Sequence, residues 1–134
     1  MPVTNQQIDS LRKDADEAAS LILDHIEKGD VIHVSTHVDS DGISAGGIMG
    51  KALLRAGANF RLRFERWMDE KVADRIADEN AALTIFTDMG SGYLDILGER
   101  LSGRDIIILD HHQPVLEEIP DGFVHVNPHT HGID

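Results

Sequence analysis

Four consecutive apolar residues, Ile106 to Leu109, run straight into Asp110-His111-His112. A strand that short and apolar throughout has no side to give to water, so both of its faces must be covered. Val31 to Ser35 and Leu83 to Thr87 read the same way; the first leads into His37-Val38-Asp39-Ser40-Asp41-Gly42 and the second into Asp88. Between such strands lie stretches with helical spacing, and that alternation calls for a parallel sheet with helices on both faces. In such a sheet the strands' carboxyl ends share one edge, where α/β folds gather their chemistry.

The remaining elements fit this frame. Ile8, Leu11, Ala15, Ala18, Ile22 and Ile26 recur at three- and four-residue steps, predicting a helix from Thr4 to Lys28. Thr4 and Gln7 form a capping-box pattern, and Gly29 is placed to end the helix. His25 suits the negative end of that helix dipole, and His33 reads as a satisfied strand histidine. Further helices are expected over 43–56, 69–77 and 93–101, with strands over 60–66 and 123–126, giving about five strands. Gly42, Gly46 and Gly50 share one helix face, each costing up to ~1 kcal/mol of helix propensity against Ala. Their expected purpose is close packing on the sheet. Arg61, Arg63 and Arg66 alternate with Phe60, Leu62 and Phe64, as on a half-exposed strand.

The 134 residues suffice for one domain, and 41% of them are hydrophobic. There is no cysteine, which excludes a disulfide framework and thiolate zinc sites. No apolar run approaches the ~20 residues of a membrane helix, and no signal-peptide pattern opens the chain, so a cytoplasmic protein with no membrane partner is expected. With 24 acidic against 12 basic residues, the formal net charge is −12. That balance by itself disfavours tight binding to nucleic acid, which relies on Lys and Arg at phosphates. With one Trp, one Tyr and four Phe, the chain is also poorly supplied with stacking surfaces.

Taken singly, Asp41 reads as a helix N-cap, Asp88 as a turn residue and the His111-His112 pair as a strand-end accident. At successive strand tips, however, the four carboxylates Asp39, Asp41, Asp88 and Asp110 and three imidazoles would repel and desolvate one another without a cation. Two divalent ions balance four acids. A carboxylate-rich set with imidazole suits Mn²⁺ or Mg²⁺, and the imidazoles favour Mn²⁺. Two such ions ~3.5–4 Å apart clamp a reacting phosphoryl centre, so the expected chemistry is phosphoester or phosphoanhydride hydrolysis.

His37-Val38-Asp39-Ser40-Asp41-Gly42, Asp88 within Thr87-Asp88-Met89-Gly90-Ser91-Gly92, and Asp110-His111-His112 resemble the first three motifs of the DHH phosphoesterases. That superfamily includes RecJ-type single-strand exonucleases, oligoribonucleases, cyclic-dinucleotide phosphodiesterases and type II inorganic pyrophosphatases. The two-residue step from His37 to Asp39 is similar to the nuclease and phosphodiesterase branch. Gly90-Ser91-Gly92 and Asn127-Pro128-His129 resemble the archaeal RecJ-like branch. The resemblance implies that His37 and Asp39 hold one metal and Asp41 and His111 the other, with Asp88 bridging. His112 would lie near the substrate phosphate, and Asp110 would orient a histidine. Asp88, His112 and Asp110 are then the catalytic set, and a two-metal-activated water hydrolyses phosphodiester bonds of single-stranded DNA, RNA or short oligonucleotides.

The resemblance further implies a fourth motif and a C-terminal substrate-binding domain, neither found in this sequence. Residues 1–134 are therefore expected to be the N-terminal part of a DHH domain, truncated at its C-terminus and with little or no activity alone. A basic groove on the missing domain would reconcile the acidity with a nucleic-acid substrate, and the resemblance implies replication or repair proteins as partners.

The alternatives are a cyclic-dinucleotide phosphodiesterase, a catalytically silent replication module, and a dinucleotide-binding domain. For the last, Gly90-Ser91-Gly92 opens a helix and Asp110 follows about 20 residues on, but Asp95 occupies the third glycine position. Gly46 to Lys51 is one residue short of a Walker A loop and is followed by Ala52. His129 and His131 are expected on a flexible polar end.

Overall fold

The computed structural model describes residues 2–134. Helix α1 (Asn5–Glu27) starts from the expected capping box: Thr4 accepts from the Gln7 amide and the Gln7 side chain accepts from the Thr4 amide. Strand β1 (Val31–His37) precedes α2 (Ser40–Arg55), then come β2 (Asn59–Glu65), α3 (Glu70–Glu79) and β3 (Leu83–Thr87). A 3-10 turn (Ser91–Tyr93) leads into α4 (Leu94–Leu101), followed by β4 (Ile106–Leu109), β5 (Phe123–Val126) and a last 3-10 turn (Pro128–His131). The five strands form one parallel sheet in the order β2-β1-β3-β4-β5. The expected fold class is therefore observed.

The pleat divides each central strand between two cores. Leu83 and Ile85 of β3 and Ile107 of β4 pack with Ala18 of α1 and Leu53 of α2. Phe86, Ile106 and Ile108 point the other way, into a core with Ala73 and Ile76 of α3 and Leu94, Leu97 and Leu101 of α4. Ile32, Ile85, Phe86 and Ile107 are wholly buried, as the apolar runs require. No helix among the described residues is long and apolar enough to cross a membrane.

Two glycines set how closely α2 lies on the sheet. A Cβ at Gly42 would stand 1.8 Å from the His37 carbonyl oxygen, and one at Gly46 would stand 2.7 Å from Thr36 Cγ2. Gly50 makes only ordinary contact distances, so close approach belongs to the helix's first half.

The chain's far end departs from the flexible tail expected. Asn127 caps the last 3-10 turn, His131 Nε2 meets Asp14 Oδ2 of α1 at 2.5 Å, and the Gln7 amide reaches the Gly132 carbonyl. His25 does more than answer a helix dipole. It is buried between Asp30 (2.8 Å) and Asp105 (2.7 Å), tying the end of α1 to the loop before β4.

Candidate metal centre

The order in which the chain adds strands reverses between β1 and β3: β1 leads to β2 on one side, and β3 lies on the other. At such a switch point the connections leave in opposite directions and open a crevice beyond the strand tips. His37 and Asp39 stand at the tip of β1, Asp88 at that of β3, and Asp110, His111 and His112 just beyond β4. Ligand atoms of His37, Asp39 and Asp88 lie within 4.8 Å of one another, as do those of Asp88, Asp110, His111 and His112. Asp88 belongs to both groups.

Each side chain is held by its local structure. Asp39, rather than Asp41, is the N-cap of α2: its Oδ1 accepts from the Gly42 amide at 2.9 Å. That backbone bond, followed by the His37 contact, holds the Asp39 carboxyl below its usual range. His37 Nε2 lies 3.1 Å from the Arg66 carbonyl oxygen, which can only accept, so the pair is a hydrogen bond when this nitrogen carries a proton. His37 Nδ1 meets Asp39 Oδ2 at 2.8 Å, and in the singly protonated ring it faces that oxygen with a lone pair. Two acceptors at that distance repel unless a proton or a cation stands with them.

Asp88 is the most constrained member. Its φ of +56° puts a non-glycine residue in the left-handed region, at the turn out of β3. The carboxylate is buried; Oδ1 meets His111 Nε2 at 2.8 Å, and Oδ2 has no hydrogen-bond partner among the described residues. Burial pushes its pKa up, the His111 contact opposes this, and the Asp39 charge adds to it. An orphaned, desolvated carboxylate oxygen beside a second carboxylate and two imidazoles is a donor set that fits a hard divalent cation.

Asp110 has a different task. Its side chain is fully buried and its oxygens are already taken: Oδ2 by the Ser91 amide (3.0 Å), Oδ1 by the His111 amide (2.9 Å) and His112 Nδ1 (2.6 Å). Burial raises its pKa, but the bonds from His112, Ser91 and His111 outweigh this, and the net shift is downward. The same contact raises the pKa of His112, whose ring is half exposed. This arrangement also removes the dinucleotide-binding alternative, because the Asp110 carboxylate closes on the Ser91 amide of the glycine turn itself.

Asp41 is not within ligand distance of either group. It sits exposed in the first turn of α2, across a shallow hollow lined also by Asp88, Asp110 and His111. The structure thus brings together His37, Asp39, Asp88, Asp110, His111 and His112, and leaves Asp41 facing them.

Sequence reasoning missed a buried support behind Asp110. Ser91 Oγ meets His125 Nε2 at 2.8 Å, and Asn127 Nδ2 donates to Ser91 Oγ (2.9 Å) and to the His112 carbonyl (2.8 Å). A histidine inside the apolar Phe-Val-His-Val strand was the available signal. Trp67 and Met68, just past β2, were missed as well; with His37, Asp88, Met89, Tyr93 and His112 they line a cavity of about 260 Å³.

No family model matches the chain. An uncharacterized protein of Methanocaldococcus jannaschii is 39% identical over 108 residues, 77% of this chain and 24% of that protein. RecJ from Thermus thermophilus in complex with Mn²⁺ is 26% identical with a TM-score of 0.71, over 87% of this chain and 17% of that one. The DHH domain of a member of the s1p family of ribosomal proteins gives 24% identity and a TM-score of 0.75, over 96% and 37%. CDC45 from Entamoeba histolytica gives 14% and 0.65, over 82% and 23%, a likeness of fold. The chain spans about a quarter of the relative's length and between 17% and 37% of these structures.

Proposed function

The chain has a DHH/RecJ-like fold, and we propose that it is the metal-carrying domain of a phosphodiesterase acting on single-stranded nucleic acid or short oligonucleotides. The observation that carries this reading is Asp88, buried and common to both ligand groups, with one oxygen left without a partner among the described residues. His37, Asp39, Asp88 and His111 are the residues to hold Mn²⁺ or Mg²⁺; Asp41, outside both ligand groups, faces them across the hollow. When bound, two such ions supply Lewis-acid activation of water and neutralise charge on a phosphoryl group.

The chain's own groups do the rest. Asp110 fixes the half-exposed His112 ring through Nδ1, which leaves Nε2 as the nitrogen to meet a phosphate oxygen. The raised pKa keeps the His112 proton in place at higher pH than an ordinary imidazole would, which suits a donor to a phosphate or leaving oxygen. Asn127 holds the His112 backbone, and Ser91 holds Asp110, so the donor is rigid. Gripping a long strand is the task of a further, basic domain, since this one carries a net charge of −12.

The test is hydrolysis of a 5′-phosphorylated dinucleotide and of short single-stranded DNA by the chain with Mn²⁺. Slow cleavage that EDTA and Asp88→Ala both abolish is expected. Cleavage indifferent to either contradicts the proposal, as does a chain that neither cleaves these substrates nor binds Mn²⁺ at millimolar concentration.

A further inference from the structure

Trp67 is the chain's single tryptophan, and it stands 60% exposed beside the strand-tip crevice. An indole costs free energy in water unless something covers it. Its position is not that of a loose loop residue. The preceding Arg66 carbonyl accepts from His37 Nε2, and the following Met68 is 5% exposed in the core with Ile76 and Phe86. The backbone on either side is therefore pinned, one neighbour to the metal centre and the other to the core. Tyr93, Met68 and Met89 extend the apolar side of the cavity, while Asp88, Asp110 and His112 make the polar side. At about 260 Å³ the cavity is below the ~300–1,000 Å³ of drug-sized sites and is of a size for one small unit.

A ligand that matches a flat apolar wall beside a cation and phosphate site is planar at one end and anionic at the other. Resting on the function proposed above, we infer that Trp67 is a stacking shelf for the nucleobase of the nucleotide whose phosphate lies at Asp88 and His112. Stacking on an aromatic side chain tolerates any base, so the shelf grips without reading sequence. It also raises affinity within a domain whose net charge opposes polyanions.

The single indole reports the event directly. The chain is titrated with 5′-AMP and with ribose 5-phosphate, in Mg²⁺, by fluorescence and by calorimetry. Saturable quenching by 5′-AMP and none by ribose 5-phosphate are expected. Trp67→Ala is expected to weaken 5′-AMP about tenfold and leave ribose 5-phosphate unchanged, which also shows that the variant is folded; Trp67→Phe recovers part of the loss. Equal affinity of wild type and Trp67→Ala for 5′-AMP overturns the shelf, as does 5′-AMP binding no tighter than ribose 5-phosphate. Ribose 5-phosphate binding that ignores Mg²⁺ and Asp88→Ala contradicts instead the phosphate and metal reading on which the shelf rests.

Discussion

Asp88→Asn separates what this residue costs the fold from what it does for a metal. In the metal-free protein Asp88 is a buried carboxylate with one unpartnered oxygen, next to the Asp39 carboxylate. An asparagine keeps the carbonyl that faces His111 and sets an N–H₂ donor where the unpartnered Oδ2 stood. It also tolerates the left-handed φ of +56°. Relief of an unsatisfied buried charge is worth about 1–2 kcal/mol here, or roughly 3–7 °C in melting temperature for a domain of this size. With Mn²⁺ at about 100 times its dissociation constant, the wild type gains about 2.7 kcal/mol. The variant loses most of that. The order of stability therefore inverts: Asp88→Asn melts above wild type in EDTA and below it in Mn²⁺. Thermal unfolding by circular dichroism in the two buffers reads this directly. A variant that is less stable in EDTA, or that keeps the full Mn²⁺ shift, refutes the reasoning.

Gly42→Ala drives a Cβ to 1.8 Å from a backbone carbonyl oxygen, and nothing flexible can give way; a loss of at least ~2–3 kcal/mol is expected from urea unfolding, while Gly47→Ala, with open space at its Cβ, stays within ~0.5 kcal/mol or gains stability. His125 is buried, and desolvation lowers its pKa. The unfolded chain therefore takes up a proton near pH 6.5 while the folded chain does not. This histidine costs no stability above that pH, and stability falls as pH drops from about 6.5 towards the folded value, by at most ~1.4 kcal/mol per pH unit. His112, with a raised pKa, acts in the opposite sense, so the comparison must be with a variant. Urea midpoints at pH 7.5 and 5.5 are expected to differ more in wild type than in His125→Asn, and equal differences contradict the assignment.

The sequence displayed the sheet well because its strands are apolar runs bounded by acid or glycine. β3, β4 and β5 begin and end where the hydrophobicity does. β1 runs two residues past its expected end at Ser35, to His37, because the ladder with β2 continues through His37 opposite Glu65. That extension depends on a partner 28 residues away and leaves no local mark. The cap of α2 went to Asp39 instead of Asp41 for a related reason: both offer a carboxylate at a helix start, and only the path out of β1 chooses between them. The ligand groups were legible because each follows a strand, and parallel strands align their ends. Their support was not. Ser91, His125 and Asn127 come from three elements and meet only in the fold, as do His131 and Asp14.

The central claim is that the tips of β1 and β3, with the segment after β4, form one divalent-metal centre built on Asp88. Electron paramagnetic resonance of Mn²⁺ tests it most directly, because the six-line signal of the free ion collapses on binding. Added chain is expected to remove that signal at micromolar Mn²⁺; Asp88→Ala should restore it, whereas Asp69→Ala, which removes only the N-cap of α3, should not. A signal that persists with the wild-type chain, or that disappears equally with Asp88→Ala, contradicts the claim.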